Sequence, residues 1–298
     1  MKLTGIHFLL TYQCTYECDH CFVWSSPRAE GVFTLAQIKT IIAQGQALGS
    51  LRSVYFEGGE PFLYYPVLLR AVKMAADMGL SVGIVSNAYW STAKADALEW
   101  LKPFAGSVQS LTLSDDLYHS DAPGAARVQF ARAAAQELGI PEGSISVAQP
   151  EAVNAEGALG QLPEGESGVM YRGRAAANLV ERAPSRTPWE QLDACPYENL
   201  RDPGRVHVDP LGYVHLCQGL TLGSIEDTPL TELWPAYDPA AHPIITPLLV
   251  GGPAELARSS GFQPEAAYAD ACHLCYSVRS HLRPQYPDLL APPQVYGL

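Results

Sequence analysis

The cysteines are the residues whose spacing most directly implies chemistry. Cys14, Cys18 and Cys21 follow a C-x-x-x-C-x-x-C pattern in a loop after the first predicted strand. Three thiolates this close together in the chain can hold three corners of an iron-sulfur cubane. The remaining iron then keeps an open coordination position that can bind a cofactor. The alternative is a zinc site that borrows a nitrogen from a histidine such as His20, because zinc accepts three sulfurs and one nitrogen.

A second motif, Gly58-Gly59-Glu60-Pro61, follows the next predicted strand. Together with the cysteine motif and its location, it resembles the radical S-adenosylmethionine (SAM) superfamily, and a zinc site would not explain it. In that family the open iron of a 4Fe-4S cluster binds the amino and carboxylate groups of SAM. One electron then cleaves SAM to methionine and a 5'-deoxyadenosyl radical, which abstracts a hydrogen atom from the substrate. The protein supplies orientation and electrostatics.

The resemblance also implies which residues contact SAM. They are His20, Gly58, Gly59, Glu60, Pro61, Ser86, Asn87, Ser114 and Arg174. The glycine motif would meet the SAM ammonium, Ser86 and Asn87 its ribose or carboxylate edge, and Ser114 the same region one strand later. His20 would lie against the adenine, with a solvated loop histidine as the alternative. Arg174, in a Gly-Arg-Ala step, would meet the SAM carboxylate.

The other cysteines lie in the C-terminal third of the chain, at Cys195, Cys217, Cys272 and Cys275. A glycine ahead of Cys217 and the C-x-x-C pair resemble the truncated SPASM, or twitch, extension of radical SAM enzymes, over residues 191–276. This resemblance implies an auxiliary 4Fe-4S cluster that four cysteines would saturate, which favours electron transfer over substrate chelation. Cys195 departs from the family spacing, because the loop that follows it is longer. A structural zinc with four thiolates is the alternative.

Composition restricts the class of protein. The chain has 298 residues, 47% of them hydrophobic, and a formal net charge of -12. This length suits a full domain with a smaller one beside it. The negative charge opposes nonspecific binding to polyphosphate, so we expect no nucleic-acid partner.

No segment resembles a signal peptide or a membrane span. We therefore expect a cytoplasmic protein without a membrane partner. Thiols stay reduced in the cytoplasm, which favours cysteines as metal ligands rather than disulfides.

The elements that must position these residues alternate between strand and helix from residue 3 to about residue 173. The predicted strands are 5–10, 51–56, 81–85, 108–113, 144–147 and 168–171. The predicted helices include one capped by Thr34, one with Pro66 in its first turn, and 93–101 and 122–138. Polar clusters follow the strand ends, where α/β barrels build their sites. We expect an α/β fold, a partial (β/α)6 TIM-like barrel that is open toward a second domain.

The pattern changes after residue 175. A proline-containing linker at 183–189 leads to a predicted β-hairpin, 206–208 and 213–216, around a turn at 209–212. The division is therefore 1–182 for the barrel and 191–298 for a small α+β cluster-binding domain with a C-terminal tail. The proline-rich tail from Arg283 is expected to lie along the surface.

Substrate-pocket candidates follow the predicted fourth strand. Asp115, Asp116, Tyr118 and His119 could supply a base, or the aspartates could simply cap the next helix. Tyr89 and Trp90 could wall the pocket or pack in the core. The sequence identifies no catalytic side chain.

Cysteine use favours one reaction class among those that the resemblance allows. The two clusters would use all seven cysteines, leaving none as the hydrogen donor that radical epimerases employ. We therefore expect an oxidation, a dehydrogenation of a small molecule or short peptide, with electrons from a flavodoxin or ferredoxin. Carbon-carbon or thioether bond formation on a peptide is one alternative, and a noncatalytic zinc-binding scaffold is another. The short stretch before Cys14 leads us to expect neither a peptide-recognition domain nor a cobalamin domain there.

Overall fold

The computed structural model describes residues 1–119, 125–151 and 165–298, with Gly165 and Glu166 described by their backbone alone. Its strands are β1 (Gly5–Thr11), β2 (Ser53–Gly58), β3 (Ser81–Ser86), β4 (Ser110–Ser114), β5 (Glu142–Val147), β6 (Gly165–Ser167), β7 (Thr187–Pro188), β8 (Arg205–Val208), β9 (Tyr213–Cys217), β10 (Leu220–Ser224) and β11 (Ala267–Tyr268). Its helices are α1 (Leu35–Ala47), α2 (Tyr65–Asp77), α3 (Lys94–Leu101), α4 (Ala126–Glu137), α5 (Ala175–Asn178), α6 (Leu230–Ala236), α7 (Ile245–Ser260) and α8 (Ala271–Leu282).

Strands β1 to β6 pair in chain order and are all parallel. Helices α1 to α4 connect the first five of them, which is the repeating unit of an α/β barrel. Among the described residues the sheet does not close, since β6 and β10 form its two ends. The prediction of a partial barrel is confirmed.

Local chemistry explains why the first helix begins where it does. The Thr34 side chain accepts a hydrogen bond from the backbone N–H of Gln37, and the Gln37 side chain bonds back to the Thr34 backbone, which completes a capping box. Ile38, Ile41 and Ile42 are buried on one face. This face packs in the main hydrophobic core against the sheet.

The sixth strand is not where the sequence predicts it. Residues 165–167 form β6, whereas the predicted strand 168–171 has no regular structure. The chain leaves the sheet there because the backbone N–H of Tyr171 bonds to the Asp270 side chain at 3.1 Å instead of to a neighbouring strand. The predicted helix 122–138 is found as α4, and residues 122–124 of that prediction lie outside the described residues.

The predicted hairpin is present as β8 and β9, which pair antiparallel. Strand β8 also pairs in parallel with β1, which the sequence did not reveal. A single sheet of nine strands therefore runs from the barrel into the C-terminal part of the chain. The division into domains at 1–182 and 191–298 stays a prediction. The sheet contains strands from both of these ranges.

The C-terminal tail is expected along the surface, and this expectation holds for only part of it, because exposed residues alternate with buried ones. Leu290 and Ala291 are fully buried, and Val295 and Tyr296 are nearly so. The Tyr296 hydroxyl donates a hydrogen bond to the Gly219 carbonyl oxygen at 2.6 Å. Apolar residues between the prolines make the tail part of the core.

Helix α8 positions the last two cysteines. Asp270 caps it by accepting a hydrogen bond from the His273 N–H at 2.7 Å. Cys272 and Cys275 therefore lie in its first turns, near the end of β9. None of the helices in the described ranges is long and apolar enough to span a bilayer.

Candidate functional site

A cavity of about 510 Å³ lies inside the partial barrel and at the carboxyl ends of its strands. Alternate residues of β1, β2, β4, β5 and β8 face it, as the two-residue period of a strand requires. Cys14, Cys18 and Cys21 border this cavity. Arg172 and Gln218, which neighbour Cys217 in space or in sequence, border it as well. The cavity thus borders the first cysteine group itself and residues next to Cys217 of the second group, whose own cysteines do not line it.

The first cysteine loop holds its sulfurs with N–H donors. The Cys14 sulfur accepts hydrogen bonds from the Tyr16 backbone N–H at 3.4 Å and from Asn87 Nδ2 at 3.5 Å. The Cys21 sulfur accepts one from the Ser25 backbone N–H at 3.3 Å. Such donors stabilise thiolates and tune the potential of an iron-sulfur cluster.

Burial makes these thiols difficult to ionise without a metal. Burial, with a smaller contribution from the charges of Glu60 and Cys21, raises the pKa of Cys14 to about 12. It also raises the pKa of Cys18, where the charges of Cys21 and Cys14 add to the effect of burial. Thiolates that repel one another in a desolvated loop are suited to a cationic iron cluster, because bound metal deprotonates its cysteine ligands. The donor set therefore fits the cluster that the motif implies.

The glycine motif fastens the end of β2 to the start of this loop. The Gly59 N–H bonds to the Thr11 carbonyl oxygen at 2.7 Å, and the Glu60 N–H to the Gln13 carbonyl oxygen at 2.9 Å. A Cβ atom on Gly59 would lie 2.0 Å from the Gln13 oxygen, so no larger residue fits. Gly58 has a φ of 125°, which also requires glycine. Both glycines line the cavity, as a SAM-binding role would need.

Glu60 organises the next strand end from within the core. It is 0% exposed, and its carboxylate accepts hydrogen bonds from the Phe62 N–H, the Ser86 hydroxyl and the Asn87 N–H at 3.0, 3.0 and 2.8 Å. Burial raises the pKa of Glu60 to about 7, against these donors. Pro61 is buried beside it at the start of a short 3-10 turn. Ser86 and Asn87, in contrast, line the cavity. The predicted contact of Glu60 and Pro61 with SAM stays a prediction.

His20 lies in an aromatic and acidic group at the ends of β4 and the cysteine loop. Its ring centroid is 4.5 Å from that of Tyr118 and 5.3 Å from that of His119. Burial, with a smaller contribution from the charge of His119, lowers the pKa of His20 to about 4. The ring thus contacts two aromatic neighbours instead of lying free in solvent, and its predicted contact with adenine stays a prediction. Ser114, at the end of β4, lines the same cavity.

Asp116 and His119 form the best-defined acid-base pair at the cavity. His119 Nδ1 is 2.8 Å from Asp116 Oδ1, and Asp116 Oδ2 accepts the Val147 N–H at 3.1 Å. Burial alone would raise the pKa of Asp116, but the hydrogen bond and charge of His119 hold it below its usual value. Both side chains border the cavity, whereas Trp90 packs in the core.

Arg174 supports the first cysteine loop. Its guanidinium donates to the Cys18 carbonyl oxygen at 2.8 Å and to the Ser25 carbonyl oxygen at 2.7 Å. Its backbone N–H bonds to the Cys21 carbonyl oxygen. These contacts fix the loop geometry, and the predicted contact with the SAM carboxylate stays a prediction.

The fold brings the four C-terminal cysteines together. Burial raises the pKa of Cys275 to about 12, with Cys195 and Cys217 close enough for their charges to contribute. Burial also raises the pKa of Cys272 well above its usual value, and the charges of Cys217 and Cys275 add to this. Arg172 Nη1 donates a hydrogen bond to the Cys217 sulfur at 3.0 Å.

Two buried arginines supply positive charge to this group. Arg172 is 5% and Arg279 is 2% exposed, and the Nε atom of each has no hydrogen-bond partner among the described residues. Arg279 Nη1 donates to the Gln218 carbonyl oxygen at 3.0 Å. Buried cations need anionic neighbours, so the arrangement fits an anionic cluster with four thiolate ligands.

Sequence reasoning missed a polar group deeper in the barrel. His7 on β1, Glu57 on β2 and His207 on β8 face the same cavity and contact one another. They are distant in sequence and belong to no motif. The only signal was a polar residue at an inward-facing position within each apolar strand.

Part of this chain is similar to known proteins. The model of the Radical SAM superfamily matches residues 8–141. "Putative peptide biosynthesis protein YydG" of Bacillus subtilis (strain 168) is 27% identical over 112 residues, which are 37% of this chain and 35% of that protein. An "S-adenosylmethionine-dependent nucleotide dehydratase" of Fibrobacter sp. (strain UWH6) is 25% identical over 126 residues, 40% of this chain and 35% of that protein. The matches thus span about a third of each relative's length.

Solved structures share the fold at low identity. BtrN in complex with AdoMet and 2-DOIA has a TM-score of 0.51 at 18% identity, covering 80% of this chain and 85% of BtrN. Streptococcus suis SuiB bound to the precursor peptide SuiA has a TM-score of 0.55 at 13% identity, with 80% and 65% covered. The anSMEcpe structure with bound AdoMet has a TM-score of 0.51 at 13% identity, with 96% and 94% covered.

The family match begins within β1 and includes the cysteine loop, the glycine motif and the end of β4. Residues of these elements line the cavity. This chain is therefore similar to the radical SAM superfamily over residues 8–141, a little under half of its length.

Proposed function

We propose that this chain is a radical SAM enzyme that oxidises a small molecule or short peptide bound in the barrel cavity. One observation carries the proposal: the cavity that Cys14, Cys18 and Cys21 border also touches Arg172 and Gln218, the neighbours of Cys217. A substrate in this cavity would be close to both cysteine groups. An oxidation that begins with loss of a hydrogen atom needs this arrangement, because a second electron must then leave the substrate.

The chain's own residues have separate tasks in this reaction. With a 4Fe-4S cluster and SAM bound, reductive cleavage of SAM supplies the radical that abstracts the hydrogen atom. Cys14, Cys18 and Cys21 would hold that cluster, and Asn87 would orient it through its bond to the Cys14 sulfur. Glu60 would fix the strand end that carries Asn87.

Loss of the second electron is accompanied by loss of a proton. His119 could accept this proton, since its ring borders the cavity and Asp116 orients it at 2.8 Å. The four C-terminal cysteines would hold the electron acceptor, and Arg172 would stabilise the added negative charge. A flavodoxin or ferredoxin would exchange electrons with the enzyme.

Sulfur spacing supports iron-sulfur clusters over zinc. A tetrahedral zinc with Zn–S bonds of about 2.3 Å requires sulfurs roughly 3.8 Å apart. In the described ranges, the groups of three or more potential ligand atoms within 4.8 Å of one another contain no cysteine. No three sulfurs in these ranges are therefore as close together as a zinc ion requires.

Bond formation on a peptide is the second candidate function. It is favoured by the 27% identity to a protein named for peptide biosynthesis and by the fold shared with SuiB, whose structure contains a precursor peptide. Both reactions remove two hydrogens from the substrate, so the two products have the same mass change. They differ in the bond that forms, which is a double bond after an oxidation and a link between two positions of a peptide after a cross-linking reaction, and fragmentation of the product by mass spectrometry distinguishes them.

Anaerobic reconstitution tests the proposal. We expect about eight irons per chain for two 4Fe-4S clusters, and 5'-deoxyadenosine on reduction with SAM. C18A should abolish 5'-deoxyadenosine formation. C217A should retain it, with about four irons, but should no longer release an oxidised product.

Deuterated candidate substrates, small molecules in one pool and short peptides in another, would then identify the attacked position by deuterium transfer into 5'-deoxyadenosine. A protein that holds zinc alone would contradict the proposal. So would a reduced-cluster signal that SAM leaves unchanged.

A further inference from the structure

Three potential metal ligands meet inside the barrel, apart from the cysteines. His7 Nδ1 lies 3.3 Å from Glu57 Oε1, and His207 Nε2 lies 3.1 Å from the same oxygen. The three ligand atoms are all within 4.8 Å of one another. Their side chains come from β1, β2 and β8, which are neighbours in the sheet, so the backbone ladder fixes their spacing.

The distances match the edges of a coordination polyhedron. Imidazole nitrogen and carboxylate oxygen bind zinc at about 2.0–2.2 Å. Neighbouring ligands are therefore roughly 3.0 Å apart in an octahedral site and roughly 3.4 Å apart in a tetrahedral one. The two observed separations lie in this interval without any rearrangement of the strands.

Within the described residues, the Glu57 carboxylate has no lysine or arginine as an ion-pair partner. Glu57 forms ion pairs only with the two histidines, whereas the neighbouring Arg205 pairs with Glu198 among the described residues.

Gln218 adds an independent observation. It is 4% exposed, its Oε1 has no hydrogen-bond partner among the described residues, and its Nε2 lies 3.5 Å from His207 Nε2. Rotating the amide by half a turn, a choice that hydrogen-bond networks decide, would place the unpartnered oxygen toward the three ligands. A fourth donor is thus available.

We propose that His7, Glu57 and His207 form a mononuclear site for a divalent transition-metal ion, of the two-histidine, one-carboxylate type. Such donor sets take zinc, iron(II) or manganese(II). The ligands face the cavity, so the ion keeps open positions that a polar oxygen or nitrogen of a bound molecule can occupy. The proposal stands on these strands alone and does not depend on the proposed oxidation.

Manganese(II) titration tests this site in the intact protein. The enzyme is purified without oxygen with its clusters in the oxidised, diamagnetic state, and loosely bound metal is removed with a chelator. The six-line EPR signal of free manganese(II) then reports binding. We expect the wild type to bind one manganese ion per chain, and zinc to displace it.

Variants identify the ligands. E57Q and H207Q should each weaken manganese binding at least about tenfold, because each removes a ligand. The matched control is H119N, which alters the other His-Asp-His group of the described residues, formed by His20, Asp116 and His119. It should bind manganese like the wild type. Circular dichroism and iron content verify that each variant is folded.

Three results would overturn the proposal. They are a wild type that binds no manganese or zinc beyond its clusters, E57Q and H207Q that bind as tightly as the wild type, and loss of binding in H119N alone. Failure of SAM cleavage would leave this proposal untouched, since manganese binding is measured without SAM.

Discussion

Glu60 links two parts of the site through one side chain. Its carboxylate receives donors from the glycine-motif turn and from the end of β3 while it lies in the core. A carboxylate in that position is costly to ionise, and a pKa of about 7 is the consequence of its burial. Its charge state therefore couples folding to pH near neutrality.

Replacing Glu60 by glutamine should remove this coupling. The folded-state pKa is raised from its ordinary value of 4.5 to about 7, so the contribution of Glu60 to stability is fully present below about pH 4.5 and is lost as pH rises through 7. At about 1.4 kcal/mol per pH unit, the loss is about 3 kcal/mol. Between pH 5 and 8, the free energy of unfolding of the wild type should therefore fall relative to that of E60Q by about that amount.

Urea denaturation of both proteins at matched pH measures this difference. Titrations that the two proteins share cancel in the comparison. Parallel curves across this pH range would show that Glu60 does not change its protonation state there.

The residues around the first cysteines could be predicted because they belong to short motifs. Residues that meet only in the folded sheet could not be predicted, because they lie far apart along the chain. Cys14 and Gly59 belong to spacings that can be recognised directly, and the structure places both at the cavity. His7 and His207 meet only because β8 pairs with β1, a contact between residues two hundred positions apart in the chain. No local pattern specifies such a pairing.

At the scale of elements, the close approach of the β2 end to the cysteine loop gives a direct test. G59A would place a methyl group 2.0 Å from the Gln13 oxygen. The backbone bridge between the two segments must then open, at a cost of about 3 kcal/mol or more. We expect a lower melting temperature and loss of iron from the first cluster, measured by calorimetry and iron analysis.

Gly79 provides the matched control. It lies after α2 with a φ of 79°, and a methyl group added there would have nothing within 4 Å. G79A should cost only about 1 kcal/mol, the strain of a left-handed alanine. Its iron content should equal that of the wild type. Equal iron content in G59A would contradict the role of the bridge.

Elements with strong local signals were predictable, and weak ones were not. The capping box at Thr34 and the turn of the β8–β9 hairpin specify their boundaries locally. Strand β6, Gly165–Ser167, has no apolar residue in its sequence and was placed three residues too late. Its position depends on pairing with β5, which sequence periodicity does not report.

At the scale of the whole molecule, the C-terminal tail is a structural part of the cysteine quartet's surroundings. The Tyr296 ring stacks on that of Tyr276 at 5.4 Å and lies under the guanidinium of Arg283 at 5.2 Å. Burial is the largest cause of the raised pKa of Tyr296, and the charge of Arg279 opposes it. The charges of Cys275 and Cys217 raise this pKa as well, which places both cysteines near the ring. The tail therefore covers the quartet from one side.

Truncating Tyr296 should destabilise this region in a graded manner. Y296A leaves a cavity and should cost about 3–5 kcal/mol. Y296F removes only the hydrogen bond to Gly219 and should cost about 1 kcal/mol. Denaturant unfolding measures both values, and iron analysis should find the second cluster depleted in Y296A but retained in Y296F. Full iron retention in Y296A would show that the tail is dispensable for the quartet.

The position of β1 has a consequence for biosynthesis. Its two edges are covered by β2, which begins at Ser53, and by β8, which begins at Arg205. During translation, the edge of β1 that pairs with β2 can form its hydrogen bonds early. The edge that pairs with β8 stays exposed until the ribosome has translated Arg205 and the residues of β8 that follow it. An uncovered strand edge invites pairing with other nascent chains. Recombinant yield should therefore respond to the speed at which residues 59–204 are translated, as well as to iron supply.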